Sequence, residues 1–162
     1  MRLISPLIGL LLIGSLAACA FPSSIKPGTT ANQLLEKLGK PTEVHPGPQG
    51  GESWDYVYGP EGLETWRFDL NPGRTVSGST QLLTQERLQR VVAGTTTDAE
   101  VKTLLGKPRE IVVLGGETVW EWRVALPPEY GTFVVRFNNK GVATGYNVLR
   151  DARMDDGKDS GP

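Results

Sequence analysis

The sequence contains very little cysteine and histidine, with one of each in 162 residues. A single cysteine cannot form an intramolecular disulfide, and one cysteine with one histidine cannot complete a Cys/His zinc site. An excess of one charge is also missing, because 17 basic and 18 acidic side chains give a formal net charge of −1. Nucleic-acid binding therefore has no compositional support. We expect a globular protein with no metal and no cofactor.

Long hydrophobic runs are missing too. The apolar segment Leu7–Ala18 is shorter than the roughly 20 residues of a membrane span, and Arg2 precedes it, as in an export signal. The end of this segment, "LAAC" (16–19), resembles the lipobox of bacterial lipoproteins. The resemblance implies a signal peptide over 1–18, cleavage before Cys19 and acylation of that cysteine. An ordinary secretory signal, cleaved after Ala20, is the alternative.

The residue after this cysteine indicates where such a lipoprotein would reside. In known lipoproteins an Asp at that position favours retention in the inner membrane, whereas this sequence has Ala20. The resemblance therefore implies the periplasmic face of the outer membrane, with the chain held in lipid through acylated Cys19. Two or three acyl chains give a stable anchor, because each buried methylene contributes about 0.8 kcal/mol. Residues 19–28 then form a lipidated tether.

The chain repeats one helix and its stop signal. An offset of 67 residues places Thr29–Val44 on Thr96–Ile111 with seven identities in sixteen positions. Each copy has Thr followed three residues later by Gln or Glu, which is a capping box, and ends in "LGKP". Gly39 and Gly106 suit the left-handed position after a helix, and a proline follows two residues later. We therefore predict two helices of about nine residues, and "LGKP" is a helix terminator and not an active site.

Period-two patterns follow each helix and predict strands. Bulky apolar residues alternate in "ESWDYVY" and "ETWRFDL", which are separated by the turn "GPEG" (59–62). The second copy repeats this scheme around the loop "PPEYG" (127–131), and a third strand follows in each copy. Between the copies, "LLTQERLQRVVAG" (82–94) predicts another helix, capped by Thr84 and with Leu88, Val91 and Val92 facing inward.

These patterns predict an α+β fold of two tandem units, with short helices packed on one face of antiparallel sheet. The expected boundaries are 29–80 for a truncated first unit, 81–150 for the second, and 151–162 for a disordered tail. The alternating aromatics are expected to form the covered sheet face, with an exposed aromatic platform for a partner as the alternative.

The order of motifs over 82–149 resembles the SmpA/OmlA (BamE-like) family of outer-membrane lipoproteins. The residues that carry the resemblance are "GTT" (94–96), "LGKP" (105–108), the aromatic strand at Trp120–Trp122 and the hairpin "FNNKGV" (137–142). The resemblance implies a non-enzymatic accessory factor in the assembly of β-barrel outer-membrane proteins, with the assembly complex as partner. Two tandem units are also reminiscent of the β-lactamase-inhibitory-protein fold, in which a concave sheet grips an enzyme. The alternative is therefore an inhibitor-like or sensor lipoprotein.

Catalytic candidates are few. His45 lies in "HPGPQGG" and is interpreted as a solvated loop histidine, and the acidic pairs Glu52/Asp55 and Glu61/Glu64 as solubilising charge. Candidate partner-binding residues lie opposite the aromatic face or in the loop after it, where loops held by a scaffold commonly bind. They are Arg67, Arg123, Arg136 and Tyr130.

Overall fold

The computed structural model describes residues 21–127 and 129–150, without the side chain of Glu129. The expected signal peptide, Cys19 and the tail 151–162 lie outside the described residues. Within the described part, no helix is long and apolar enough to cross a membrane.

The described residues form two four-stranded antiparallel sheets and three short α-helices, so the predicted α+β fold of two tandem units is confirmed. The strands pair in chain order within each sheet, β1-β2-β3-β4 and β5-β6-β7-β8. The helices are α1 (Ala31–Leu38), α2 (Gln85–Leu88) and α3 (Asp98–Leu105). The strands are β1 (Glu43–Pro46), β2 (Glu52–Tyr58), β3 (Glu64–Leu70), β4 (Val76–Gln81), β5 (Glu110–Leu114), β6 (Glu117–Leu126), β7 (Glu129–Phe137) and β8 (Ala143–Arg150).

The repeated helices α1 and α3 begin and end as their sequences predict. At the start of α1, the Thr30 hydroxyl accepts a bond from the Gln33 amide, and the Gln33 side chain accepts one from the Thr30 amide. Thr97 and Glu100 form the same capping box on α3. The residue after each helix is a glycine at positive φ, 76° at Gly39 and 75° at Gly106.

Removing a capping hydroxyl should weaken the protein by a modest, measurable amount. We expect Thr97→Ala to lower the free energy of unfolding by about 1 kcal/mol, because an amide of the first turn loses its acceptor. Urea unfolding followed by tryptophan fluorescence measures this. The control is Thr103→Ala within α3, whose hydroxyl only bonds back to the Ala99 carbonyl. An equal loss in both variants would contradict the capping role.

The helix α2 is much shorter than the predicted segment 82–94. Thr84 makes no side-chain cap, and the regular helix ends at Leu88. Leu88 and Val91 are buried as expected, but Val92 is 52% exposed. The Val92 amide donates to the Thr96 hydroxyl at 2.8 Å, and the Thr96 amide donates to the Val92 carbonyl. These local hydrogen bonds replace the i→i−4 bonds of a helix and turn the chain toward α3.

Each unit has one strand more than the sequence predicted, β1 in the first and β5 in the second. Both were missed because β1 is only four residues long and β5 reads as a continuous apolar run. The hairpin β2–β3 is confirmed. In the second unit β7 begins at Glu129, so the loop is shorter than 127–131 and Tyr130 lies in a strand.

The sheet aromatics form the cores, and the exposed aromatic platform is not formed. Each core lies between one face of a sheet and the helices of the same unit. Trp66 and Trp120 are half-buried and pack against these clusters. The fully or almost fully buried aromatic side chains are Trp54, Tyr56, Phe68, Trp122, Phe133 and Phe137.

Part of the expected tether folds onto the first unit. Ile25 is buried in the first core, and the Gly28 amide donates to the Val76 carbonyl at 2.8 Å. As Leu88 and Val91 contribute to the second core, so the described residues of the segment 19–28 contribute Ile25 to the first. They close the first core where the sequence shows no helix.

Candidate functional site

The four predicted partner-binding residues separate into two places, while Cys19 lies outside the described residues. Arg123, Tyr130 and Arg136 share one face of the second sheet, opposite the face that packs on α2 and α3. Arg67 lies on β3 of the first sheet. The grouping follows from strand alternation, since residues two apart point to the same side.

Arg67 is a structural residue and not part of a solvent-facing surface, which corrects the expectation for it. Its Nε and Nη2 atoms donate to the two carboxylate oxygens of Asp55, each at 2.7 Å. The Asp55 side chain is 1% exposed, so it is not a solubilising charge either. The hydrogen bond to Asp55 raises the pKa of Arg67 above its ordinary value. The pair is a bidentate, largely buried ion pair.

The same ion pair joins the two units. Arg67 Nη1 donates to the carbonyl of Thr103 in α3 at 2.9 Å, and Lys102 of α3 lies 3.0 Å from a carboxylate oxygen of Glu43 in β1. The other side of α3 buries Val101 and Leu105 in the second core. The helix α3 therefore serves both units, the second through its apolar side and the first through its polar side.

His45 lies in strand β1 and not in a mobile loop. Its Nε2 atom is 3.1 Å from the Asp55 carboxylate and 3.7 Å from that of Glu43. A group of one histidine and two carboxylates can in principle hold a metal ion. Here Arg67 and Lys102 already neutralise the two carboxylates. The arrangement is a network of ion pairs across the junction.

At the junction Ser53 bonds to a carboxylate and not to His45. A cleft of about 290 Å³ adjoins His45 and Ser53. The Ser53 hydroxyl donates to Asp69 at 2.5 Å, which directs it to a carboxylate and not to the imidazole. A serine nucleophile needs a base within hydrogen-bond reach. Ser53 and His45 therefore do not form a serine–histidine pair in this arrangement.

The second sheet presents an outer face, which we define as the side of β6, β7 and β8 opposite α2 and α3. Its centre is apolar and closed, because Val119 and Val134 are buried by their neighbours. Arg136 is exposed. Its guanidinium lies over Gly145 of β8, so that a Cβ atom added at that glycine would be 3.1 Å from it. Tyr130 and Leu149 are exposed at the far end. The outer face also includes Glu121, Arg123, Thr132 and Asn147.

Arg123 links this face to the first unit. Its Nε atom lies 3.3 Å from a carboxylate oxygen of Glu61 in the turn between β2 and β3.

Three residues of the outer face were not among the predicted partner-binding residues. They are Val119, Val134 and Leu149. The strand alternation places them on this face, but the sequence pattern "VLRDAR" gives no sign that Leu149 is exposed.

Comparison with known proteins gives structural likenesses only. No family model matches the chain, and no curated protein matches it either. Similar solved structures include a DUF4309 family protein, YjgB, from Bacillus subtilis, at 14% identity over 75% of this chain and 78% of that one, with a TM-score of 0.30. A second is described as a putative β-lactamase inhibitor protein from Streptococcus mutans, at 15% identity over 79% and 86%, with a TM-score of 0.32.

A third is an extracellular protein containing an SCP domain from Bacillus anthracis, at 17% identity over 83% of this chain, with a TM-score of 0.30. The chain spans 49% of that protein's length. None of the three is described as an SmpA/OmlA lipoprotein. Because these TM-scores are low, no role is carried from these proteins to this chain, and its function has to be argued from its own surfaces.

Proposed function

We propose that this chain is a non-enzymatic binding protein that holds a protein partner on the outer face of its second sheet. One observation carries the proposal. Among the described residues the α-helices pack on the other side of this sheet, and the first unit approaches the outer face at Arg123. The part of the face on β7 and β8 is exposed and places an arginine, a tyrosine and a leucine around a closed apolar centre. Arginine and tyrosine are among the residues enriched in interface hot spots.

The place of action that we propose is the periplasmic face of the outer membrane. The lipobox resemblance at Cys19 supports this proposal, since acylation there would tether the folded units to lipid. Mass spectrometry of the mature N-terminus tests it. A triacylated Cys19 is expected, and an unmodified N-terminus at Phe21 would contradict it.

The partner could belong to either of two classes. The resemblance to SmpA/OmlA lipoproteins supports an accessory, BamE-like role in the β-barrel assembly complex, although no family model matches the chain. The two complete sheets support the alternative, an inhibitor-like or sensor lipoprotein that binds a periplasmic enzyme through its sheet face. We place the assembly role first because ordered motifs in this sequence carry it.

Crosslinking and affinity purification from intact envelopes separate these classes and test the surface. We expect Arg136→Glu to reduce recovery of the partner about tenfold, because a charge reversal at a hot-spot position costs over 1 kcal/mol. The control, Lys37→Glu, makes the same charge change on exposed α1 of the first unit. Equal recovery with Arg136→Glu and the wild type would contradict binding at the outer face.

The identity of the captured protein decides between the BamE-like role and the inhibitor-like or sensor role. Capture of the barrel-assembly complex, together with permeability defects in a deletion strain, would support the BamE-like role. Normal barrel-protein levels and no captured complex would rule that role out. Capture dominated by one soluble periplasmic enzyme would favour the inhibitor-like or sensor role.

A further inference from the structure

The strand β5 is an edge of the second sheet, and its side chains are unusually apolar and exposed. Ile111, Val113 and Leu114 are 56%, 71% and 62% exposed. An edge strand carries unpaired N–H and C=O groups, and proteins usually protect such edges with proline, lysine or a covering segment. The sequence "EIVVL" of β5 contains none of these residues.

Among the described residues, each of the other three sheet edges has a protective device at one end. The strand β1 ends in Pro46. The first residue of β4, Val76, exchanges hydrogen bonds with Gly28 and Thr29. At the start of β8, Ala143 exchanges hydrogen bonds with Gly94 and Thr96. The edge at β5 has none of these devices at any of its five residues, although β8 also exposes Val148 and Leu149 beyond its paired first residue.

Comparison of the two repeats shows at which position the edge strands β1 and β5 differ. The offset of 67 residues that aligns the two helices also aligns Val44 with Ile111 and Pro46 with Val113. The two strands enter their sheets identically, because the Thr42 amide bonds to the Asp55 carbonyl and the Arg109 amide to the Glu121 carbonyl. The first unit thus has a proline, with no N–H, where the second unit has Val113.

The hairpin geometry shows which backbone groups of β5 point outward. Gly115 and Gly116 both have positive φ, 58° and 90°, and connect the paired residues Leu114 and Glu117 as a two-residue turn. Such a turn closes on a hydrogen-bonded pair, and bonded and non-bonded pairs alternate from there. Ile111 and Val113 therefore direct their N–H and C=O groups away from β6.

We propose that two copies of this protein pair through β5 in antiparallel orientation, across a two-fold axis at Val112. In this register Ile111 of one copy lies opposite Val113 of the other. The outward N–H and C=O groups of both residues then form hydrogen bonds with the partner strand. Residues 111 and 113 share one side of the sheet, so the helix-bearing faces of the two copies coincide. Glu110 lies opposite Leu114, which avoids a contact between like charges. The surface is self-complementary, as a closed dimer requires.

The expected dimer is weak and depends on concentration. Pairing of five-residue strands buries less than the roughly 1,200 Å² of a stable protein interface. It also leaves the outer faces of both copies open, so it is independent of partner binding there. The joined sheet would contain the four strands of each second unit.

Sedimentation of the purified protein over about 1 to 500 μM tests the dimer. We expect Ile111→Lys and Val113→Pro each to raise the dissociation constant about tenfold or more, since one adds charge at the edge and the other removes an outward N–H. The control is Val44→Lys, the equivalent of Ile111 in the first unit, which is 53% exposed. A wild-type protein that stays monomeric, or an equal effect of Val44→Lys, would overturn the proposal.

Disulfide capture tests the register in a Cys19→Ser background, which removes the natural thiol. The two copies of residue 112 face each other in a non-hydrogen-bonded pair with Cα atoms about 4.5 Å apart, within disulfide reach. Val112→Cys should oxidise to a covalent dimer. Leu114→Cys should not, because four residues of strand separate its two copies by about 13 Å. Efficient capture at position 114 but not at position 112 would overturn the two-fold register.

Discussion

Replacing Arg67 with alanine is expected to destabilise the protein by about 3 kcal/mol or more, because it leaves the Asp55 carboxylate buried without its bidentate partner. The variant also loses the bond from Arg67 to the Thr103 carbonyl of the second unit. Urea denaturation measures the change through tryptophan fluorescence, since each unit contains two tryptophans. The unfolding transition of the variant should lie at a lower urea concentration than that of the wild type.

The matched control for Arg67 is Arg74→Ala. Arg74 lies 3.4 Å from Glu52, but both side chains are about half exposed, 57% and 43%. Exposed ion pairs contribute about 0 to 1 kcal/mol. If Arg67→Ala costs no more than Arg74→Ala, the Asp55–Arg67 pair does not stabilise the junction. Asp55→Ala with Arg67→Ala completes a double-mutant cycle that isolates the coupling between the two.

Gly106→Ala is expected to destabilise the protein more than Gly39→Ala, although both glycines end equivalent helices. Their backbone angles are nearly equal, φ 75° and ψ −166° against φ 76° and ψ −159°, a region that essentially only glycine adopts. We expect about 1 to 2 kcal/mol for Gly39→Ala from this strain. For Gly106→Ala we expect about 3 kcal/mol, because crowding adds to the strain.

The nearest crowding atom at Gly106 belongs to Thr65 of the first unit. A Cβ there would meet Thr65 Cγ2 at 3.0 Å and Leu82 Cδ1 at 3.3 Å, whereas a Cβ on Gly39 would meet nothing within 4 Å. Thr65→Ser removes the nearest methyl group, so the double variant Gly106→Ala/Thr65→Ser should regain part of the loss. Thermal unfolding of the four proteins measures this. Equal losses at both glycines would show that the junction does not press on Gly106.

The parts of the fold that sequence patterns predicted are those governed by local physics. Capping hydroxyls, glycine at positive φ and a following proline act within a few residues, and they placed α1 and α3 correctly. Strand alternation put Trp122 in the core and Arg123 on the opposite face. Where the local sequence signals are weak, the predictions for β1 and α2 were wrong. The strand β1 is short and contains proline, and α2 ends early because Thr96 bonds to Val92.

The candidate site was harder to predict because it depends on what packs against a sheet. Alternation correctly separated Arg67 from the aromatic face, but it carries no information on whether a second layer covers the other side. Here α3 covers it, so Arg67 became a junction residue. One sequence feature could have indicated that this side of the sheet is covered. It is Asp55, a carboxylate between the core residues Trp54 and Tyr56. A charge in that setting needs a partner across the sheet.

The position of α3 between the two units has a consequence for how a chain that emerges N-terminus first can fold. The first sheet emerges before α3 does, and until then no Thr103 carbonyl or Lys102 side chain is present to complete its polar side. Asp55 and Arg67 spend this interval facing water. The first unit therefore acquires its final structure only after residue 106 has emerged, more than 20 residues after the last strand of its own sheet ended at Gln81. The polar side of the first sheet is therefore completed only when α3 docks on it.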